Sequence, residues 1–270
     1  MTNNHSKTPP VALTIAGSDS GAVAGIQADL KTFSANAVYG TCAITAITAQ
    51  NTMGVKAIEY VSPKILEAQI LSIITDFSLR SVKTGMIGEP ELADIIAFFA
   101  TNGELPRLVI DPVMVATSGD SLSADTMVAS YRTTLFPHAL VITPNITEAE
   151  ILSETEIRSI NDMIKAAKIL HGFGSKYVYL KGGHLAGEDA VDVFYDGKTI
   201  AYLRAKRIET NNVHGTGCTF SAALSAALAR GATVEVAVRA AKVYTTKTIS
   251  GAKTWALGRG SGPLNHFGWQ

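Results

Sequence analysis

His214-Gly-Thr-Gly-Cys-Thr-Phe-Ser221, followed without a break by the Ala/Leu-rich run from Ala222 to Gly231, is the stretch from which the rest of the chain can be read. Gly215 and Gly217 free the backbone to bend sharply, and Thr216, Cys218, Thr219 and Ser221 put small polar groups where a helix must begin. The first N–H groups of a helix lack partners within it. With the aligned peptide dipoles they amount to about half a positive charge, which attracts a phosphate or a developing phosphoryl group. The same letters also describe a plain capped helix start with Thr216 as N-cap. The thiol of Cys218 inside the turn favours chemistry over capping.

Working outward, the chain alternates strand signals with helical periodicity. VALTIA (Val11 to Ala16) reads as a first strand, GSDSGAVAG (Gly17 to Gly25) as a glycine loop, and Ile26, Leu30 and Phe33 recur at helical spacing after it. In such a unit a ligand sits over the loop at the carboxyl end of the strand, where Asp29 faces it if it points inward and is a solvated first-turn acid if it does not. The loop lacks the Lys-Ser/Thr ending of a P-loop and does not spell G-x-G-x-x-G, so both motifs are excluded. TCAITAITAQNT (41–52) reads as a buried strand delivering Gln50, SVKTGM (81–86) as a strand ending at Met86, and RLVIDPVM (107–114) as one with Asp111 and Val113 at its exit. ALVITPN (139–145) has Asn145 and Glu148 just past it, and KYVYLKGG (176–183) carries Lys181 and Gly182 at its exit. Helices are predicted over 63–77, 91–100, 125–136 and 160–171, then about 219–230 and 234–250. Parallel strands need long crossovers, so this alternation predicts a mostly parallel sheet covered on both faces, with functional groups on one edge. VDVFYDGKTIAYLRAKRI (191–208) reads as a late antiparallel hairpin turning at Asp196-Gly197.

At 270 residues, 47% hydrophobic and 17% charged, the chain has apolar material for a sizeable core, and residues 11–270 read as one domain behind a loose polar tail at 1–10. Lys+Arg and Asp+Glu balance at 23 each, which excludes a bulk charge suited to nucleic acid or an anionic membrane; any phosphate site must be local and its substrate small. Cys42 in an apolar strand reads as core, and two cysteines in such different settings suit a reducing compartment. No signal-like h-region and no apolar span of membrane length is apparent, so a cytoplasmic location is expected.

Taken together, ALTIAGSDS, AGIQADLKTF, TAQNT, VKTGM, VIDPVM, ITPN followed by EA, KGGH, HGTGCTFSAA and GPLNHF stand in an order and spacing that resemble the hydroxymethylpyrimidine/phosphomethylpyrimidine kinases of thiamine biosynthesis, within the ribokinase-like superfamily. The resemblance spans nearly the whole chain. It implies a three-layer α/β/α sandwich, usually a homodimer, that uses ATP and Mg²⁺ to phosphorylate 4-amino-5-hydroxymethyl-2-methylpyrimidine and then its monophosphate. By that resemblance Asp29 and Gln50 hold the aminopyrimidine edge, which both donates and accepts hydrogen bonds. Gly17, Ala24, Met86 and Val113 match the pocket wall; for Met86 ordinary core packing is the alternative. Asp111 and Glu148, with Asn145, match the part that organises Mg²⁺ through water. Lys181 and Lys242 match positions beside the transferred phosphates, with a solvated lysine as the alternative for Lys242. Gly215, Thr216 and Gly217 match the anion hole and Cys218 the reactive residue, a general base if its pKa falls from about 8.5 toward neutrality.

One departure stands out. Where the resembled family writes GGGAG, this chain has Gly21, Ala22, Val23, Ala24 and Gly25, and β-branched Val resists positive φ, so a narrowed loop and weakened substrate binding are expected. Two other functions fit the letters: a pyridoxal/pyridoxine kinase on the same fold, and a non-catalytic vitamin-binding or regulatory protein that keeps the pocket without turnover.

Overall fold

The computed structural model describes residues 8–114, 126–183, 185 and 187–269. Strands β1 (Val11–Asp19), β2 (Tyr39–Asn51), β3 (Gly54–Tyr60), β4 (Leu79–Thr84), β5 (Val109–Ile110), β6 (Val141–Ile142), β7 (Tyr177–Leu180), β8 (Asp189–Tyr195) and β9 (Ile200–Lys206) form one sheet in the order β3-β2-β1-β4-β5-β6-β7-β8-β9. The run from β2 to β7 is parallel, whereas β3 and β8 pair antiparallel with their neighbours and β9 with β8. Helices are α1 (Gly25–Ala35), α2 (Pro63–Ile74), α3 (Pro90–Thr101), α4 (Met127–Ser130), α5 (Ile146–Ser153), α6 (Ile160–His171), α7 (Thr216–Ala229) and α8 (Val234–Gly251).

Strand alternation sorts the core into two layers. Leu13, Ile15, Val82, Ile110, Ile142, Val178 and Leu180 point to one face, where Leu66, Ile70, Leu92, Ile96, Leu152 and Met163 from α2, α3, α5 and α6 cover them. Ala12, Val109, Val141 and Tyr179 point to the other face, against Phe33 of α1, Phe220 and Leu224 of α7 and Val238 of α8. Burial on both faces is what the unbroken apolar strand sequences demand. Helix α7 is buried almost throughout, and its Ala and Ser residues allow close approach to the sheet: Ser81 Oγ donates to the Ser225 carbonyl at 2.8 Å. Among the described residues no helix is long and apolar enough to cross a membrane.

Several elements differ from their sequence expectation. β1 runs on through Asp19, and α7 starts at Thr216 rather than near Thr219. The 41–52 strand is not fully buried: from Ala46 onward it pairs with β3, the edge strand of the sheet, and Ile47 is 59% exposed. Cys42 is half-buried rather than core, and both cysteines are free. β5 and β6 pair over two residues each because Pro112 and Pro144 follow and cannot donate to a ladder. The predicted 125–136 helix is α4 followed by a π turn (Tyr131–Leu135) and a 3-10 turn (Phe136–His138); its first residue, residues 1–7 of the polar tail, residues 115–125 and His184 lie outside the described residues.

Candidate active site

The first loop is shaped by one carboxylate. Asp19 accepts from the backbone N–H of Gly21 at 2.8 Å through Oδ1, and from those of Val23 and Ala24 at 2.9 and 2.8 Å through Oδ2. The loop therefore folds back on the end of β1, and Lys31 Nζ donates to the Ala22 carbonyl at 2.7 Å. The expected strain at Val23 is absent: Ala22, not Val23, takes the left-handed conformation (φ 57°), and Val23 is a buried side chain. An alanine there costs about 1 kcal/mol. Ala22→Gly is accordingly expected to raise stability by about 0.5–1 kcal/mol, and Val23→Gly to lower it by about 1–3 kcal/mol through lost burial, both read by denaturant unfolding.

The start of α7 meets this loop. Gly215 has φ 81°, and a Cβ on it would run into the Val23 carbonyl oxygen, so only glycine fits. Gly215 itself is the N-cap, with no side chain capping the helix, whereas Thr216 Oγ1 donates backward to the Val213 carbonyl at 2.6 Å. Thr216 is thus not the cap that the alternative sequence interpretation required. A Cβ on Gly217 would lie 3.1 Å from Lys181 Nζ and 3.7 Å from Asp111 Oδ2, so the second glycine brings the helix start against a charged pair.

That pair spans two strand exits. Lys181 Nζ donates to Asp111 Oδ1 at 2.8 Å, Thr143 Oγ1 donates to the same oxygen at 2.9 Å, and Ser221 of α7 donates to Oδ2 at 3.1 Å. Burial alone would raise the Asp111 carboxyl, but the Lys181 and Lys83 ammonium groups outweigh it and hold it below the usual range. Glu148 is buried at the start of α5, where Asn145 and Glu148 cap the helix reciprocally: Glu148 N–H to Asn145 Oδ1 at 2.9 Å and Asn145 N–H to Glu148 Oε2 at 2.8 Å. Burial pushes Glu148 up to about 7, opposed by Lys181 and reinforced by Asp111.

Cys218 lies in the first turn of α7, and the Gly25 backbone at the N-terminus of α1 favours its ionised form. Lowering toward neutrality does not occur: burial wins and pushes the thiol up to about 11, against the opposing charge of Lys83. Asp29 is neither solvated nor in the first turn. It is fully buried, accepting from Lys83 Nζ at 2.8 Å and Thr14 Oγ1 at 2.6 Å through Oδ2, while Oδ1 has no partner among the described residues. One of its two oxygens is therefore committed to a lysine rather than open to a ligand. Sequence reasoning missed Lys83, although a lone lysine in a strand buried on both faces demands a counter-charge. Lys83 is held well above its ordinary value: burial works against the charge, and Asp29, Cys218 and Asp111 outweigh it.

Gln50, at the end of β2, has its Nε2 3.0 Å from Nε2 of His214, the first residue of the glycine turn, so opposite ends of the chain meet here. Burial keeps His214 below its ordinary pKa, with Asp19 opposing, and its contact with Gln50 is a second feature the sequence did not reveal. Met86 and Val113 share an apolar cluster with Ala46, and a Cβ on Gly17 would touch Met86 Sδ at 3.4 Å, so Gly17, Met86 and Val113 form one wall. Ala24 sits at the N-cap of α1, its Cα 3.5 Å from a Cβ built on Gly215. Lys242 is not solvated: its Nζ donates to Asp192 Oδ2 at 2.7 Å and to the Ala190 carbonyl at 3.3 Å.

Among the described residues no three His, Cys, Asp or Glu side chains cluster as a metal cage. Two carboxylates, Asp111 and Glu148, near Lys181 are instead the hard, sparse donor set that suits Mg²⁺ held largely by water and substrate phosphates.

A helix N-terminus shaped by obligatory glycines, beside a buried Asp–Lys pair at the carboxyl edge of a parallel sheet, defines a phosphotransferase of ribokinase-like build. A family model described as Phosphomethylpyrimidine kinase matches residues 19–265. The hydroxymethylpyrimidine/phosphomethylpyrimidine kinase of Rhizobium meliloti (strain 1021) is 49% identical over 262 residues, which cover 95% of this chain and 97% of that protein. The ADP complex of Bacillus subtilis pyridoxal kinase is similar at a TM-score of 0.88 and 40% identity, covering 96% of this chain and 98% of that one. Phosphomethylpyrimidine kinase from Clostridium difficile 630 is similar at a TM-score of 0.79 and 41% identity, covering 89% and 99%. The chain belongs to the phosphomethylpyrimidine kinase family.

Proposed function

We propose that this kinase transfers the γ-phosphoryl group of ATP to the hydroxymethyl oxygen of 4-amino-5-hydroxymethyl-2-methylpyrimidine, and a second one to the resulting monophosphate. The observation that carries this is the meeting of Gln50, Cys218, Lys181 and Asp111 around the uncapped start of α7. Gln50 offers both a donor and an acceptor to the aminopyrimidine edge, and Gly17, Met86 and Val113 cover the ring. Asp29 acts one layer below, through Lys83. The N–H groups of the glycine turn face the transferred phosphoryl, and Lys181 and Lys242 neutralise charge spread over its oxygens. Asp111 and Glu148 hold Mg²⁺, which supplies charge neutralisation at the phosphates when bound. The proton of the attacking hydroxyl passes to the thiolate form of Cys218, the minor form near pH 7, late in the transfer, when the oxygen is most acidic.

Glu148 makes this arrangement pH-sensitive. With its pKa near 7 the carboxyl is mostly neutral at pH 6 and mostly ionised at pH 8, so the half-saturating Mg²⁺ concentration is expected to rise about five- to tenfold on going from pH 8 to pH 6. In Glu148→Gln that dependence should vanish while the half-saturating concentration stays high throughout.

The substrate assignment is tested by offering the pyrimidine, its monophosphate and pyridoxal in parallel and measuring ADP release. Turnover with both pyrimidines supports it. Turnover with pyridoxal alone would establish the second possibility, kept open because a structure 40% identical to this chain is named a pyridoxal kinase. ADP release that none of the three added compounds increases would exclude both.

A further inference from the structure

The carboxylate of Asp192, at the centre of β8, is absorbed by nothing in the mechanism above, yet it is buried and fully engaged. Its Oδ1 accepts from the backbone N–H of Gly182 at 2.8 Å, and its Oδ2 accepts from Tyr179 Oη at 2.5 Å and Lys242 Nζ at 2.7 Å. These donors come from β7, from the exit of β7 and from α8. Gly182 follows Lys181 directly, and a Cβ on it would collide with the Val191 carbonyl, so the exit of β7 is pressed against β8 at this point.

We propose that Asp192 is the positioning residue for the phosphate-binding lysines: it pins the Lys242 ammonium in a fixed direction and, through the Gly182 amide, fixes the exit from which Lys181 projects. The inference rests on the proposal that Lys242 serves the nucleotide. An ammonium has three donors, and two of those on Lys242 are spent on Asp192 and Ala190. Holding two fixes the direction of the third. Because the Lys242 side chain is only 15% exposed and that of Asp192 only 6%, the pair is largely shielded from water, and a lysine so held loses little freedom when a polyphosphate takes its remaining hydrogen. The neutral isostere cannot do the same. An asparagine that turns its oxygen toward Lys242 and Tyr179 sets its NH₂ against the Gly182 N–H, and one that turns the other way sets its NH₂ against the ammonium.

The test measures KM for MgATP and for the pyrimidine separately in Lys242→Met, Asp192→Asn, the double variant and Tyr179→Phe. Lys242→Met should raise KM for MgATP about tenfold, Asp192→Asn should raise it by a similar factor, and the double variant should be no worse than either single one, all with KM for the pyrimidine within about twofold of wild type. Tyr179→Phe removes a hydrogen bond from the same carboxylate without touching either lysine and should leave KM for MgATP unchanged. If Asp192→Asn does not fold, Asp192→Glu keeps the charge, shifts the carboxylate by one methylene and should give the same selective rise. An unchanged KM for MgATP in Lys242→Met overturns the nucleotide role of that lysine. A raised KM in Lys242→Met with an unchanged one in Asp192→Asn, or in Asp192→Glu where that replaces it, overturns the positioning role alone. A lower KM for MgATP in the Asp192 variant means that the carboxylate competes with nucleotide for the lysine and also overturns the proposal, as does an equal rise in both KM values, which marks a purely structural role.

Discussion

Cys218→Ser is expected to slow the first phosphoryl transfer about 10²- to 10⁴-fold and the second only a few-fold. The asymmetry comes from the two nucleophiles. An alcohol must lose its proton as it bonds to phosphorus, whereas the monophosphate, with a second pKa of about 6, is already anionic near pH 7. Burial pushes the Cys218 thiol up to about 11, so about one molecule in 10⁴ carries the thiolate at pH 7. The wild-type first transfer should therefore keep rising with pH through 9, while the second levels off above about pH 7. In the serine variant the rise should disappear, because an alkoxide is out of reach across that range. Single-turnover measurements of the two steps separate these outcomes, and equal losses in both would remove Cys218 from the proton path.

Lys181→Met combines a catalytic loss with a structural one. Removing an ammonium from beside the phosphates is expected to lower kcat about 10²- to 10³-fold. It also strips Asp111 of its nearest counter-charge while that carboxylate is 0% exposed, which is expected to destabilise the fold by about 3–5 kcal/mol. Adding Asp111→Asn removes the stranded charge and should restore most of the stability without restoring turnover. Thermal unfolding and single-turnover rates on the single and double variants read the two effects apart. A single variant within threefold of wild-type kcat would place the transferred phosphate elsewhere.

What was legible in the sequence follows from how far each signal reaches along the chain. The start of α7, the alternation of strands and helices and the Asp196-Gly197 hairpin are written in neighbouring residues, and the structure has all three. α5 carried an equally local sign, the Asn145-x-x-Glu148 capping box, which went unused because both residues were assigned to metal chemistry. The β2–β3 hairpin was missed because the run through Gln50 looks as apolar as a buried strand, although its far half is covered on one side only. The Lys83–Asp29 and Lys242–Asp192 pairs lie 54 and 50 residues apart, and no local pattern says that their side chains share a cavity. The supposed strain at Val23 came from treating the loop residue by residue. Asp19 collects three of its amides at once and leaves the positive φ to Ala22.

The central claim, that opposite ends of the chain converge on one reacting oxygen, is tested most directly by a crystal structure of this protein with ADP and 4-amino-5-hydroxymethyl-2-methylpyrimidine. The expected result is a hydroxymethyl oxygen within about 3.5 Å of Cys218 Sγ, the ring edge on Gln50, and the space between that oxygen and ADP bounded by the amides of Gly215 to Cys218. A pyrimidine seated away from Cys218, with the start of α7 facing neither ligand, would contradict it.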